Sequence, residues 1–269
     1  MPTELDPQAL AEEVLKAKNF QGMDPALVLR VTKRELQNSN NPKEIVKNVK
    51  SKLYQVGGAY RIERKRPESL LTAMDEFQLQ DQEMLKSRCR ELMNMHVSTR
   101  ERLPHLDDFY GEIFSRLPRI GSVLDLACGF NPFAIPWRPL QENFVYDACD
   151  VYEDMVRLIN AFFAAMGIQG GARQLDLIDS YPESQAKLTL LLKTIPCLEQ
   201  LDKAAGRQLL SRISSPFAVV SFPALSIGGR AKGMPRNYEA HFLEIVDPDV
   251  WQFKKLPISY ELVFLLERK

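Results

Sequence analysis

The chain has 269 residues, of which 45% are hydrophobic and 26% are charged, and its 35 basic and 35 acidic side chains cancel at neutral pH. This composition is that of a globular protein with one large domain or two smaller ones, and it excludes a disordered chain, a collagen-like repeat and a coiled coil. No run of about 18 uncharged apolar residues predicts a membrane span, and the first residues lack the basic flank and apolar stretch of a secretory signal, so we expect a cytoplasmic protein without a membrane partner.

The first hundred residues carry the signals of helices. Three helix starts have a capping side chain followed by proline at the first helical position, where the missing N–H of proline would be unpaired anyway. These starts are Asp6-Pro7, Asp24-Pro25 and Asn41-Pro42, and Arg66-Pro67 is a weaker fourth. Residues 42–54 place apolar side chains on one face and lysines mostly elsewhere, and a longer helical stretch is predicted over residues 67–95. The sequence therefore predicts a small all-helical N-terminal domain over residues 1–95.

The zero net charge conceals a basic front and an acidic middle. Residues 16–66 contain 13 Lys and Arg against 4 Asp and Glu, whereas residues 105–205 contain 8 against 14. Clustered Lys and Arg raise the affinity for phosphate backbones through counterion release, which points to a polyanion-binding module. Solvated helix faces are the alternative interpretation. The candidate phosphate-binding side chains of this region are Lys43, Lys47, Lys50, Arg64 and Arg66.

After residue 104, strands and helices alternate. An amphipathic helix is predicted over residues 106–117, and a buried strand over 123–129 runs into a glycine turn. Further strands are predicted at 143–151, 172–177, 188–195 and 217–222, with helices at 154–166 and 200–213. This alternation indicates parallel βαβ units in a doubly wound α/β sheet. Two last strands, at 241–246 and 259–267, lack a helix between them and are predicted to form an antiparallel pair at the edge of a seven-stranded sheet.

Three acidic residues fall near the ends of successive predicted strands. Ligands of doubly wound sheets lie beyond the carboxyl ends of the strands, so the turn at residues 125–132, which starts with Asp125, is the expected cofactor support. Gly129 would let the backbone approach a ligand closely. Asp150 can accept both hydroxyls of a ribose, and Asp176 can accept an adenine amine. Taken singly, each carboxylate is equally well explained as a solvated strand end.

The turn at residues 125–132 lacks the GxGxxG phosphate cradle of dinucleotide-binding folds, because only Gly129 is present. A cofactor that has an adenine and a ribose but no phosphate fits better, and S-adenosylmethionine is the common one. The four cysteines are scattered without metal-ligand spacing, so we expect reduced thiols and no metal site. The three histidines lie far apart in the sequence, and we assign none of them a catalytic role.

Four motifs, taken in order along the chain, resemble a single family. They are HVSTRERLP at residues 96–104, DLACGFNP at 125–132, LKTIPCLEQ at 192–200, and VSFP at 220–223 with GGRAKGM at 228–234. Together they resemble the aminoglycoside-resistance 16S ribosomal RNA methyltransferases, which methylate N7 of guanine 1405 in the small subunit. The resemblance covers roughly residues 54–269.

The resemblance implies a class I, Rossmann-like, S-adenosylmethionine-dependent methyltransferase domain at residues 96–269, preceded by a helical rRNA-docking domain at 1–95. The residues that it implies for cofactor binding are Tyr60, Ser98, Thr99, Arg100, Ala127, Gly129, Asp150, Val151, Asp176, Leu177 and Gln200. It implies that Lys193 and Arg230 face the target nucleotide as catalytic residues. Lys232, Met234 and Arg236, on the loop that also carries Arg230, are implied to contact RNA.

Guanine N7 presents an in-plane lone pair and no proton, so methyl transfer to it needs no general base and positioning should dominate. The implied partner is the assembled 30S subunit, the protein is expected to be a monomer, and its activity is expected to confer aminoglycoside resistance. Departures from the family at Tyr54, Leu201 and the pair Ala224-Leu225 concern target affinity more than cofactor binding. Two alternatives stay open: a methyltransferase for another rRNA position, such as adenine N1 in the same helix, and an RNA-binding homologue without catalysis.

Overall fold

The computed structural model describes residues 5–60, 81–138, 143–224 and 234–269. Its first helices, α1 (Pro7–Lys16), α2 (Pro25–Leu36) and α3 (Pro42–Val56), begin at the three predicted prolines. In each of them the preceding side chain accepts a hydrogen bond from a backbone N–H of the first turn, which confirms the predicted caps. The fourth predicted start, Arg66-Pro67, lies outside the described residues.

The helices that follow lead from the N-terminal part of the chain to the sheet. The amphipathic helix α3 buries its predicted apolar face and ends at Gly57, before a 3-10 turn at Gly58–Tyr60. The described end of the helix predicted at 67–95 is α4 (Gln82–Met93), and the start of that prediction lies outside the described residues. The next elements are α5 (Val97–Arg100), a 3-10 turn at Leu103–His105 and α6 (Leu106–Phe114).

A seven-stranded sheet in the order β3-β2-β1-β4-β5-β7-β6 lies at the centre of the described structure. Its strands are β1 (Ser122–Leu126), β2 (Val145–Asp150), β3 (Gln169–Gln174), β4 (Leu188–Leu192), β5 (Phe217–Pro223), β6 (Trp251–Lys255) and β7 (Glu261–Arg268). The first five strands pair in parallel, and β7 pairs antiparallel with β5 and β6. The predicted doubly wound sheet with an antiparallel edge pair is therefore confirmed. Because the strand order reverses between β1 and β4, a crevice opens at the carboxyl ends of these strands.

Four further helices connect or flank the strands. They are α7 (Glu153–Met166), α8 (Thr194–Leu198), α9 (Ala205–Arg212) and α10 (Met234–Ile245). Gly167 ends α7 in the left-handed conformation, with φ 62°, as the predicted helix end requires. The helix predicted at 200–213 is shorter, because it starts only at Ala205. The third strand ends at Gln174, so that Asp176 follows it by two residues.

One predicted strand is wrong. Residues 241–246 form the end of α10 and the residue after it, and the partner of β7 is β6 instead. The run buries Phe242, Ile245 and Val246, whereas Leu243 is 54% exposed. Burial at one position and again three and four residues later is the helical period, which the prediction overlooked in a short run rich in β-branched and aromatic residues.

Apolar residues pack on both faces of the sheet in two clusters. One cluster runs without interruption from α1, α2 and α3 to the face of the sheet covered by α6 and α7. The other includes side chains of α8, α9 and α10 on the opposite face. The N-terminal helices thus share a core with the sheet and are held against it. Within the described ranges, no helix is long and apolar enough to cross a membrane, and no group of three His, Cys, Asp or Glu residues could hold a metal ion.

Candidate active site

A cleft lies where the N-terminal helices meet the carboxyl ends of the strands, and its empty space, including the solvent at its mouth, is about 640 Å³. Its N-terminal wall consists of Val56, Gly57 and Tyr60. The predicted site residues that line it are Tyr60, Ser98, Ala127, Asp150, Val151, Leu177 and Lys193. The tertiary structure therefore brings together residues that are spread over more than a hundred positions of the sequence.

Asp150 closes strand β2, and its carboxylate is fixed by two backbone donors. Oδ2 accepts the N–H of Gly129 at 2.9 Å, and Oδ1 accepts the N–H of Tyr152 at 3.3 Å. The residue is 8% exposed, at the cleft. A carboxylate offers about four lone-pair sites, so one that backbone groups orient in this way can also receive hydroxyl donors from a ligand.

The turn after β1 has left-handed backbone at Ala127 and Gly129, with φ 51° and 52°. A Cβ on Gly129 would lie 2.8 Å from Cε1 of His96. In the structure the close neighbour of Gly129 is the imidazole of His96, so that both this contact and the left-handed backbone favour glycine here.

His96 was missed as a site residue. Its ring lines the cleft, stacks on Tyr60 with centroids 5.9 Å apart, and lies with Nδ1 2.9 Å from Oγ of Ser98. Cys197 was missed too: its thiol donates to the Tyr60 hydroxyl at 3.1 Å, and burial raises the pKa of this thiol to about 11, so it is protonated. The only sequence signal for either residue was its place inside a motif.

Asp176 has a partner in the N-terminal helices. Nε of Arg30, on α2, donates to Oδ2 of Asp176 at 2.8 Å, and Oδ1 accepts the N–H of Ile178 at 3.1 Å. The neighbours of Asp176 in the chain, Leu175 and Leu177, line the cleft. Apolar walls at the end of β3 therefore face the cleft, while the carboxylate between them is bound to Arg30.

Lys193 follows the last residue of β4 and precedes α8; its backbone is left-handed, with φ 60°, and the residue is 6% exposed. Its Nζ lies 2.6 Å from Oε2 of Glu101 and 3.5 Å from Oε2 of Glu261. The lysine thus lines the cleft as one member of a network of opposite charges. This position is compatible with a structural ion pair as well as with the implied role of Lys193 in facing the target nucleotide.

A buried network continues from Lys193 into the core. Arg102 and Glu261, each 1% exposed, pair with 2.8 Å between Nη2 and Oε1. Burial alone would raise the pKa of Glu261, but Arg102 and Lys193 lower it below its ordinary value. Asn131 accepts from Arg102 and donates to Asp125 at 2.6 Å, and burial raises the pKa of Asp125 to about 6. Asp125 therefore lies in the core under the turn and fixes it through Asn131.

The other predicted site residues lie away from the cleft or outside the described residues. Thr99 is buried, and its hydroxyl donates to the carbonyl of Met93 at 2.6 Å. Arg100, Gln200 and Arg236 are exposed. The predicted residues outside the description are Arg64, Arg66, Arg230, Lys232 and the side chain of Met234.

A second concave surface lies on the N-terminal helices, between the end of α1 and α3. Lys18, Lys47 and Lys50 line it, together with Tyr54, whose side chain is 48% exposed. Lys43, on the same helix α3, is exposed near its start. Two of the predicted basic side chains, Lys47 and Lys50, thus line a groove that also carries an exposed aromatic ring.

Comparison with known proteins places the chain among rRNA methyltransferases. The family model described as ribosomal RNA methyltransferase (FmrO) matches residues 16–265. A 16S rRNA (guanine(1405)-N(7))-methyltransferase of Micromonospora rosea is 34% identical over 96% of both chains, and one of Serratia marcescens is 30% identical over 95% of this chain and 96% of its own.

Solved structures give the same result. The structure of the 16S rRNA methyltransferase RmtF in complex with S-adenosyl-L-homocysteine is 31% identical with a TM-score of 0.84, and the match covers 99% of this chain and 100% of RmtF. The 16S rRNA methylase RmtB, 23% identical with a TM-score of 0.79 over 99% of this chain and 100% of its own, shares the fold. By the match of nearly its whole length, the chain belongs to the ribosomal RNA methyltransferase (FmrO) family.

Proposed function

We propose that this protein transfers the methyl group of S-adenosylmethionine to N7 of guanine 1405 of 16S rRNA in the assembled 30S subunit, and thereby confers aminoglycoside resistance. The observation that carries this proposal is the full-length similarity to methyltransferases of that specificity, at 34% identity over 96% of the chain. The cleft supports it, because the side chains there suit the cofactor of that reaction.

The chemistry of the cleft fits S-adenosylmethionine. The oriented carboxylate of Asp150 is an acceptor for ribose hydroxyls, and the apolar side chains of Val151, Leu175 and Leu177 suit an adenine ring. Among the described lining residues the one lysine or arginine is Lys193, whose Nζ lies 2.6 Å from Oε2 of Glu101. A cofactor with diphosphate groups would find little compensation for its charge there, whereas a phosphate-free nucleoside needs none.

In this proposal the protein accelerates the reaction by positioning. When bound, S-adenosylmethionine would supply an electrophilic methyl group: the bond from this carbon to guanine N7 forms as its bond to the sulfonium sulfur breaks, S-adenosylhomocysteine leaves, and no proton is lost. Asp150 would hold the ribose, and Ser98 with the backbone of Ala127 would hold the amino acid end. Holding the reacting atoms in line can supply several kcal/mol of the barrier, so the rigidity of these elements is the catalytic contribution.

Lys193 and Arg230 would face the target nucleotide in this scheme, with Lys232, Met234 and Arg236 on the adjoining segment. Extruding a base from an rRNA helix costs a few kcal/mol, which phosphate contacts elsewhere must offset. The cationic groove of Lys18, Lys47 and Lys50 supports an rRNA-docking role for the N-terminal domain, residues 1–95. We further propose that the protein acts as a monomer in the cytoplasm, where its ribosomal substrate is found.

The test is to methylate intact 30S subunits with the purified protein and a labelled cofactor, and to map the modified base by primer extension. Label on guanine 1405 is the expected result. Modification of an adenine in the same helix would show that the protein has a different target base. Cofactor binding by calorimetry without label in the subunits would show that the protein is an RNA-binding homologue without catalysis.

A further inference from the structure

The adenine end of the cleft is held by the N-terminal helices through a charged contact. Nε and Nη2 of Arg30, on α2, converge on Oδ2 of Asp176 at 2.8 and 2.7 Å. The Asp176 side chain is 6% exposed, and its other oxygen accepts the N–H of Ile178 at 3.1 Å. One turn further along the same helix, Arg34 donates to the carbonyl of Leu201, the residue three after the end of α8. Helix α2 therefore bridges the two sides of the crevice.

A second contact joins the same two parts of the chain through the backbone. The N–H of Asp24 donates to the carbonyl of Val151, and the N–H of Glu153 donates to the carbonyl of Gly22, both at 2.8 Å. The side-chain amide of Gln174, at the end of β3, also donates to Gly22, at 2.9 Å. The turn between α1 and α2 is thus attached to the ends of β2 and β3, beside the cleft-lining Val151.

Asp176 is a poorly hydrated carboxylate, so its position depends on Arg30. A buried charge that loses its counter-charge is left uncompensated, so its carboxylate is no longer held in one place and the backbone that carries it loses an anchor. The backbone here is residues 175–177, whose two leucines face the cleft. Removal of Arg30 would therefore disturb the cleft although Arg30 itself does not line it.

We propose that Arg30 is a positioning residue for cofactor binding: through Asp176 it fixes the apolar wall at the end of β3, and so makes the N-terminal helices part of the cofactor site. This proposal rests on the proposed function, since it takes the cleft to be the S-adenosylmethionine site. It adds to the role that the resemblance implies for Asp176, because the carboxylate that would accept the adenine amine also binds Arg30.

A double-mutant cycle separates the two roles. Binding of S-adenosylhomocysteine is measured by calorimetry for the full chain and for Arg30→Met, Asp176→Asn and the double variant. We expect each single variant to bind about tenfold more weakly than the wild type. The double variant should bind no more weakly than Asp176→Asn alone, because both changes remove the same contact between Arg30 and Asp176. Wild-type affinity in Arg30→Met, or losses that add, would overturn the proposal.

Two further variants sharpen the result. Lys33→Met removes the same charge from an exposed position on α2 and should leave the affinity unchanged. Arg30→Lys should retain most of the affinity, because both nitrogens of Arg30 converge on one oxygen and an ammonium can serve one oxygen. A loss in Arg30→Lys as large as in Arg30→Met would contradict the proposed ion pair.

Hydrogen exchange tests the same coupling without any variant, should the substitutions prevent folding. If the N-terminal helices hold the cofactor wall, bound S-adenosylhomocysteine must in turn hold the helices, because coupling is reciprocal. We expect slower amide exchange in α2 on addition of S-adenosylhomocysteine, and unchanged exchange there would refute the coupling. Methylation of 30S subunits by the unmodified protein reports separately on the proposed function, so a failure of either proposal is distinguishable.

Discussion

Replacing Asp150 by alanine tests the cofactor site most directly. In the proposed complex the carboxylate accepts two ribose hydroxyls, and a hydrogen bond to a charged group contributes roughly 1.5–3 kcal/mol. The loss of two such bonds amounts to about 3–6 kcal/mol, which corresponds to roughly two to four powers of ten in Kd. Asp150→Ala should therefore bind S-adenosylhomocysteine too weakly for ordinary calorimetry.

The same change removes the acceptors of two backbone N–H groups, those of Gly129 and Tyr152. An unsatisfied buried donor costs roughly 1–3 kcal/mol, and the low end applies here because water can enter the cleft. Since a domain of this kind is stable by about 5–15 kcal/mol, the variant should remain folded. Thermal unfolding of the ligand-free protein measures that cost separately from binding.

Asp150→Asn is the matched control, because it keeps the size and one acceptor oxygen. It should fall between the wild type and Asp150→Ala in both affinity and unfolding temperature, because its amide nitrogen cannot accept the second backbone N–H. The ribose assignment is refuted if Asp150→Ala, shown to be folded, binds S-adenosylhomocysteine as the wild type does.

Three further outcomes are expected. Glu261→Gln should lower the free energy of unfolding at pH 7 by about 3–5 kcal/mol, because it leaves a buried guanidinium unpaired. Since the folded-state pKa of Glu261 is lowered, its stabilisation is present above the unfolded pKa of 4.5 and is lost as pH falls below it, so urea titrations should show a weaker acid dependence in the variant. Gly129→Ala should lower the free energy of unfolding by about 1–2 kcal/mol because alanine disfavours left-handed backbone, and it should lower it further because the new Cβ would clash with His96. The additional change His96→Ala should restore this second part. Lys47→Ala with Lys50→Ala should weaken 30S binding and reduce its salt dependence by about one unit of slope per lost phosphate contact, with cofactor affinity unchanged.

Each of these expectations has an outcome that contradicts it. Equal acid dependence in Glu261→Gln and the wild type would show that the lowered pKa contributes no stability. If His96→Ala does not raise the free energy of unfolding of Gly129→Ala, the added methyl group does not clash with the imidazole. An unchanged salt dependence of 30S binding would remove Lys47 and Lys50 from the docking surface.

Most of the backbone architecture followed from local patterns. The caps at Asp6, Asp24 and Asn41 were predictable because a capping side chain and the proline after it act within a few residues. The five parallel strands were predictable because their apolar runs alternate with turn and helix signals. The run at 241–246 failed because six residues are too few to separate a period of 3.6 from a strand when apolar and aromatic side chains predominate.

The predicted strand ends also indicated where the cleft lies and that Asp150 lines it, because the carboxyl ends of parallel strands meet at one edge of the sheet. The partners within the site were not predictable. Arg30 and Asp176 are 146 residues apart in the sequence, and Lys193 and Glu101 are 92 apart. Nothing in the sequence except the surrounding motif pointed to His96, because its contact with the turn at Gly129 exists only in the folded protein.

The order and kind of most elements, the basic front and the strand-end acids could be read from the chain alone, because they depend on interactions between residues close in sequence. Which charges pair, that an imidazole lies against Gly129, and that α2 closes on the end of β3 became visible only in the folded protein. Burial and pairing of charge depend on which distant surfaces meet, and packing of the whole core selects those surfaces.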